Sequence, residues 1–101
     1  MRSVWWEDNT IRMIDQRRLP ADYEVVIWSD YHGVARGIKE MYVRGAPAIG
    51  VAGAFGLALA AHNSPATSYV ELLRDLERAY DVLLGTRPTA ANLRWALDQV
   101  M

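Results

Sequence analysis

Two arginines carry the most specific chemistry in this sequence. Arg44 opens Arg44-Gly45-Ala46-Pro47-Ala48-Ile49-Gly50, directly ahead of an apolar run from Val51 to Ala61. Arg87 opens Arg87-Pro88-Thr89, directly ahead of the helical pattern Leu93, Ala96, Leu97 and Val100. Pro47 suits the first turn of a helix, where its missing N–H costs nothing and its φ is already helical. Pro88 disfavours helical backbone at Arg87, and Thr89 can cap the helix that follows. Both arginines therefore fall in loops that feed helix N-termini. The first-turn N–H groups of a helix lack intrahelical partners and carry the positive end of its dipole, so a guanidinium beside them completes a site for phosphate. Gly45 permits the tight entry of the backbone, and Gly45 and Ala46 would contribute main chain rather than side chains. If the two N-termini converge, two guanidiniums and several amides surround one anion, an array that suits a phosphate monoester. The competing reading is a surface arginine that merely precedes a buried helix.

No other pattern offers comparable chemistry. The sequence has no Cys, which excludes disulfides, thiolate metal sites and a Cys nucleophile within these 101 residues. It has no GxGxxG fingerprint, no P-loop lysine, no His pair at metal spacing and no nucleophile elbow, so no metal site is expected. His32 lies next to a helix cap without an assignable carboxylate or metal partner and reads as a solvent-facing histidine. Glu71, Arg74, Asp75, Glu77 and Arg78 read as a solvated helix face. A net charge of −1 leaves no basic excess for nucleic acid or an anionic membrane. No signal peptide is visible, and the apolar run falls short of the roughly 20 residues that span a bilayer. A cytoplasmic chain with a buried central helix is expected.

The elements that would position the two loops follow from periodicity. Val4–Glu7 and Thr10–Ile14 are β-prone runs separated by Asp8-Asn9, which predicts a hairpin with a two-residue turn. Tyr23–Trp28 supplies a third strand. Three of the four Trp residues lie in this opening third; an aromatic ligand platform is one reading, and large side chains building a small core is the favoured one. Ser29 or Asp30 caps a helix from about Tyr31 whose apolar positions are Val34, Ile38, Met41 and Tyr42, with Gly33 and Gly37 placed for close approach of another backbone. The central helix runs from about Pro47 to His62, apolar or small on every face, with Gly50, Gly53 and Gly56 forming a smooth stripe; Asn63-Ser64-Pro65 ends it. Ser68 to Glu71 fits a capping box for a helix that runs to Leu84, with Gly85 as the stop. The predicted fold class is α+β, mainly α: a sheet region over 1–29 and a bundle of about four helices over 30–101. The last helix stops at Met101 with its pattern still running, which suggests a fragment or a chain that needs a partner segment.

Met41–Ala52 and Arg87–Asp98 closely resemble the N-terminal part of the methylthioribose-1-phosphate isomerases. These belong to the superfamily that includes the regulatory subunits of translation initiation factor 2B and ribose-1,5-bisphosphate isomerase. The opening Trp5-Trp6 and the strand pattern are similar to the isomerase branch as well, so the likeness extends over essentially the whole chain. The resemblance implies an aldose–ketose isomerase of methionine salvage that converts 5-methylthioribose 1-phosphate into 5-methylthioribulose 1-phosphate without an organic cofactor. It implies that Arg44, Gly45 and Ala46 hold the substrate phosphate and that Arg87 adds a second charge. It also implies that the catalytic cysteine and aspartate lie in a larger Rossmann-like domain absent from this chain, through which a homodimer would form; no catalytic residue is therefore expected here. The alternatives it leaves are a regulatory domain of the initiation-factor branch that senses a sugar phosphate or nucleotide, and ribose-1,5-bisphosphate isomerase.

Overall fold

Asp8 and Asn9 adopt left-handed backbone, φ 53° and 57°, and so close a two-residue turn whose twist matches its flanking strands. The computed structural model describes residues 3–18, 21, 23–43, 45–87 and 91–101. Strands β1 (Val4–Glu7), β2 (Thr10–Ile14) and β3 (Val25–Trp28) form an antiparallel sheet in that order. Register places Val4 and Val26 opposite Met13, and Trp6 and Trp28 opposite Ile11. Alternation then puts these six side chains on one face. Ile11 and Met13 are wholly buried there. The tryptophans serve this face as packing groups: Trp6 meets Phe55 edge to face at 6.3 Å, and Trp28 meets Tyr42 in the same way at 5.5 Å.

Four helices follow: α1 (Tyr31–Lys39), α2 (Ala46–Asn63), α3 (Tyr69–Gly85) and α4 (Ala91–Val100). Asp30 caps α1 by accepting from the Gly33 N–H at 2.9 Å. Gly33 and Gly37 do lie where space is short, but their neighbours are side chains rather than another backbone. A Cβ at Gly33 would stand 2.6 Å from the Trp28 ring, and one at Gly37 would stand 2.7 Å from the Met13 sulfur. His32 is exposed and stacks on Tyr31 at 4.1 Å.

Helix α2 is the axis. Its glycines drift by about 60° per three-residue step, and so serve different neighbours. Gly53 lies under Leu93 and Leu97 of α4, whereas Gly56 lies under Val34 of α1 and Leu83 of α3. Leu57, Leu59, Val34, Ile38, Leu83, Leu93 and Leu97 are all fully enclosed around it. Ser68 caps α3 through the Glu71 N–H, and Glu71 returns the bond to the Thr67 N–H rather than to Ser68.

Four sequence expectations need correction. Met41 and Tyr42 do not extend α1, because Met41 turns left-handed at φ 64°. Its N–H reaches the Ile38 carbonyl and the Tyr42 N–H reaches the Gly37 carbonyl at 2.9 Å, the paired bonds of a Schellman termination. Gly85 is not a left-handed stop either. It is the last residue of α3, and the end is closed by tighter bonds from the Thr86 and Arg87 N–H groups to the Leu83 and Leu84 carbonyls, with the Thr86 hydroxyl donating to Leu83. Val100 is 41% exposed rather than buried. Nor is α2 enclosed all round: Val51 is 45% exposed. Together with Pro47, Ala54 and, from α4, Trp95 and Val100, it lines an open groove of about 840 Å³. No helix among the described residues is long and apolar enough to cross a membrane.

Candidate functional site

The approach to α2 is built by the exit of α1. After the Schellman turn the chain passes Val43, which is fully buried, and reaches Gly45. Arg44 and the sequence expectation attached to it lie outside the described residues, as do Pro88 and the expected cap Thr89. Gly45 has φ 88° and ψ 138°, a backbone region that L side chains rarely adopt. A Cβ there would meet nothing within 4 Å, so the glycine is needed for its backbone angle and not for space. Its carbonyl accepts from the Ile49 N–H at 3.0 Å, the first turn of α2.

No side chain caps this helix end, and a proline occupies its first turn. The leading N–H groups of Ala46 and Ala48 therefore have no partner inside the helix. The positive end of an 18-residue helix stands behind them. Gly45 is thus the N-cap of α2 and Ala46 its first residue.

Arg87 arrives from the opposite side of the fold. Its Nε–H donates to the Ile38 carbonyl at 3.4 Å, on the last turn of α1. A cation there also suits the negative end of that helix. The contact brings Arg87 to the turn whose outgoing strand of chain becomes Gly45. The first turn of α4 is in the same region: a Cβ on Gly50 would stand 3.2 Å from the Asn92 carbonyl, so the N-terminal turns of α2 and α4 are packed on each other. Among the described residues, then, Arg87 touches the last turn of α1, and Gly50 of α2 lies against Asn92 at the start of α4.

Behind this region stands a charged group that the sequence pattern did not single out. Asp15, only 2% exposed, follows β2. Its two carboxylate oxygens accept from Arg17 Nε and Nη2 at 3.0 Å each, and Oδ1 also accepts from the Arg17 N–H. Arg18 Nε lies 3.6 Å from Oδ2. The Arg17 hydrogen bonds hold the Asp15 carboxyl below its ordinary range, against the opposing effect of burial. The same guanidinium lies over the Tyr42 ring, 3.6 Å from its centroid. An acidic residue directly after a buried strand, two residues before an arginine, was the available signal. It was hard to read because the partner ring lies 25 positions further on. Among the described residues no group of three His, Asp or Glu side chains is placed to hold a metal ion.

Comparison with known proteins finds relatives along the whole chain. Residues 42–101 match the model of the Initiation factor 2 subunit family. Over all 101 residues the chain is 46% identical to the methylthioribose-1-phosphate isomerase of Desulforamulus reducens, of which it spans 29%. It superimposes on the crystal structure of 5-methylthioribose 1-phosphate isomerase from Pyrococcus horikoshii OT3 with a TM-score of 0.93 and 49% identity, covering 97% of this chain and 28% of that one. The subunit delta structure of translation initiation factor eIF-2B from A. fulgidus gives 0.90 and 42% over the same shares. The chain spans less than a third of the length of these relatives.

Proposed function

The chain belongs to the Initiation factor 2 subunit family, and from that premise we propose that it is the N-terminal domain of an aldose–ketose isomerase acting on 5-methylthioribose 1-phosphate. In this reading the chain supplies part of the substrate phosphate site. A C-terminal domain supplies proton transfer between the two carbons of the aldose and the homodimer contact. The uncapped start of α2 carries the proposal, because it presents free amides and a helix dipole through a glycine whose backbone angle admits few other residues. Arg44, Gly45 and Ala46 bind the phosphate from one side, and Arg87 binds it from the other. For that, Arg87 has donors to spare: among the described residues one of its five N–H groups is used, on Ile38. A phosphate monoester near two negative charges is neutralised by two guanidiniums, which fixes the sugar without touching the carbons that react. These residues bind and orient, and none moves a proton.

A second reading has its own support. The subunit delta structure superimposes almost as well as the isomerase, which supports the alternative of a regulatory domain; in that reading the chain would sense a sugar phosphate or nucleotide. The higher identity to the isomerases favours the enzyme.

Amide shifts recorded during titration with inorganic phosphate, 5-methylthioribose 1-phosphate and AMP separate the readings. Perturbations at Gly45–Ile49 and Arg87 that saturate at lower concentration with the sugar phosphate than with AMP are expected. Arg87→Ala should weaken sugar-phosphate binding by about 1.5–3 kcal/mol, the scale of a lost charged hydrogen bond. Preference for AMP would favour the regulatory reading, and a folded sample without shifts at these positions would remove the site from this chain.

A further inference from the structure

We propose that Asp15, Arg17 and Tyr42 form a positioning clamp that sets the path of the chain into the N-terminus of α2. Three contacts converge on one residue of that path. The Arg17 guanidinium grips Asp15 with two parallel hydrogen bonds of 3.0 Å and lays its plane 3.6 Å from the centre of the Tyr42 ring. The Gln16 N–H donates to the Tyr42 carbonyl at 2.9 Å. The Tyr42 ring also meets Trp28 edge to face. The next residue, Val43, is fully buried. Three residues separate Tyr42 from Ala46, the start of α2, so in this proposal the position of Tyr42 limits where Gly45 and the first amides of the helix can lie.

The chemistry of the clamp is specific to these residue types. A carboxylate that is 2% exposed is tolerated only when paired and hydrogen-bonded, and such pairs are weak sources of net stability. Their geometric definition is the better account of this one. Only a planar guanidinium can hold both carboxylate oxygens with one edge and stack an aromatic ring with its face; an ammonium can do neither. Arg17 Nη1 also lies 3.9 Å from the Glu40 carboxylate at the end of α1, so one side chain touches the strand exit, the helix end and the loop.

The effect of the clamp on anion affinity rests on the reading of this N-terminus as a phosphate site; its effect on the loop does not. The test compares the chain with its Arg17→Ala, Arg17→Lys and Tyr42→Leu variants. Amide hydrogen exchange is followed at Gln16, Tyr42 and Ile49, whose bonds tie the loop, and at Ala79 and Leu83 in α3. Binding of inorganic phosphate is followed by amide shifts. In Arg17→Ala and Tyr42→Leu, exchange at the three loop reporters should rise about tenfold or more while α3 keeps its protection. Phosphate affinity should fall at least about fivefold, since a site works only when its donors are held within about 0.5 Å. Arg17→Lys should recover the melting temperature but not the loop protection. Tyr42→Leu keeps the Asp15 pair intact and carries the test if Arg17→Ala does not fold. Wild-type exchange at the loop reporters in the folded variants would overturn the clamp. Absence of any phosphate-induced shift in the wild-type chain would instead overturn the phosphate site, with the clamp still judged by exchange.

Discussion

Met41 holds a conformation that glycine normally occupies. At the position after a helix cap, φ 64° costs a side-chain-bearing residue about 1 kcal/mol relative to glycine. The Met41 side chain is 43% exposed and returns little of that cost through burial. Met41→Gly should therefore raise stability, by a few tenths to about 1 kcal/mol after the added freedom of the unfolded chain is counted, read as a higher melting temperature. Asp15 makes a second prediction at this scale. Its carboxyl is held below the ordinary value of about 3.9 by the Arg17 hydrogen bonds. Its stabilising contribution is thus complete above that value and is lost as pH falls through the lowered one. The stability difference between the wild-type chain and Asp15→Asn should be largest near pH 7 and shrink below about pH 4, measured by denaturant melts across pH. A difference that stays constant with pH would mean that the carboxylate charge is not what matters. The sequence made the backbone role of Gly45 legible because a glycine just ahead of a proline-started apolar helix suits a tight chain entry, and its φ is 88°. It did not make Met41 legible, since methionine normally continues a helix and the turn is fixed by bonds back to Gly37 and Ile38.

At the scale of elements, close packing of α2 is the feature that most constrains substitution. A Cβ on Gly53 would overlap the Leu93 side chain of α4, and one on Gly56 would press on Val34 and Leu83 at 3.0–3.1 Å. Gly53→Leu should cost about 1–3 kcal/mol through overpacking, seen as a lower denaturation midpoint with the denaturant dependence unchanged. An unaltered midpoint would mean that α4 moves away freely. Element boundaries were legible wherever a local rule decides them: the Asp8-Asn9 turn, the Asp30 and Ser68 caps, and the end of α2 at Asn63-Ser64 all lie where their chemistry predicts. They were less legible where tertiary bonds decide. Gly85 reads locally as a stop, yet α3 ends through hydrogen bonds from Thr86 and Arg87, and Arg87 itself is drawn toward α1.

At the scale of the whole molecule, the chain is flat, 47 × 30 × 19 Å, so α2 has neighbours on some sides and solvent on another. That outcome was not legible in a helix apolar on every face, because the pattern records what tolerates burial and not what is there to bury it. The groove between α2 and α4 exposes Val51 at 45% and Trp95 at 66%. Such an apolar surface takes up hydrophobic dyes. Val51→Gln combined with Trp95→Gln should lower dye fluorescence at least about twofold while changing stability by no more than about 0.5 kcal/mol per site. A large loss of stability would show that the two side chains hold α4 in place. The shared frame of isomerase and initiation-factor relatives was legible from the Met41–Ala52 and Arg87–Asp98 runs, because both runs are long and lead into helices, α2 and α4, that pack on each other.

The dependence of α2 on α4 also has a consequence during synthesis. Leu93 and Leu97, which cover the Gly53 side of the most apolar helix, are translated some 30 residues after that helix is complete. At about 5–20 residues per second, α2 waits about 2–7 s for the last of its cover. Throughout that interval the Gly53 side of α2 is without its cover, while the sheet and α1, made earlier, are already available to pack its other sides.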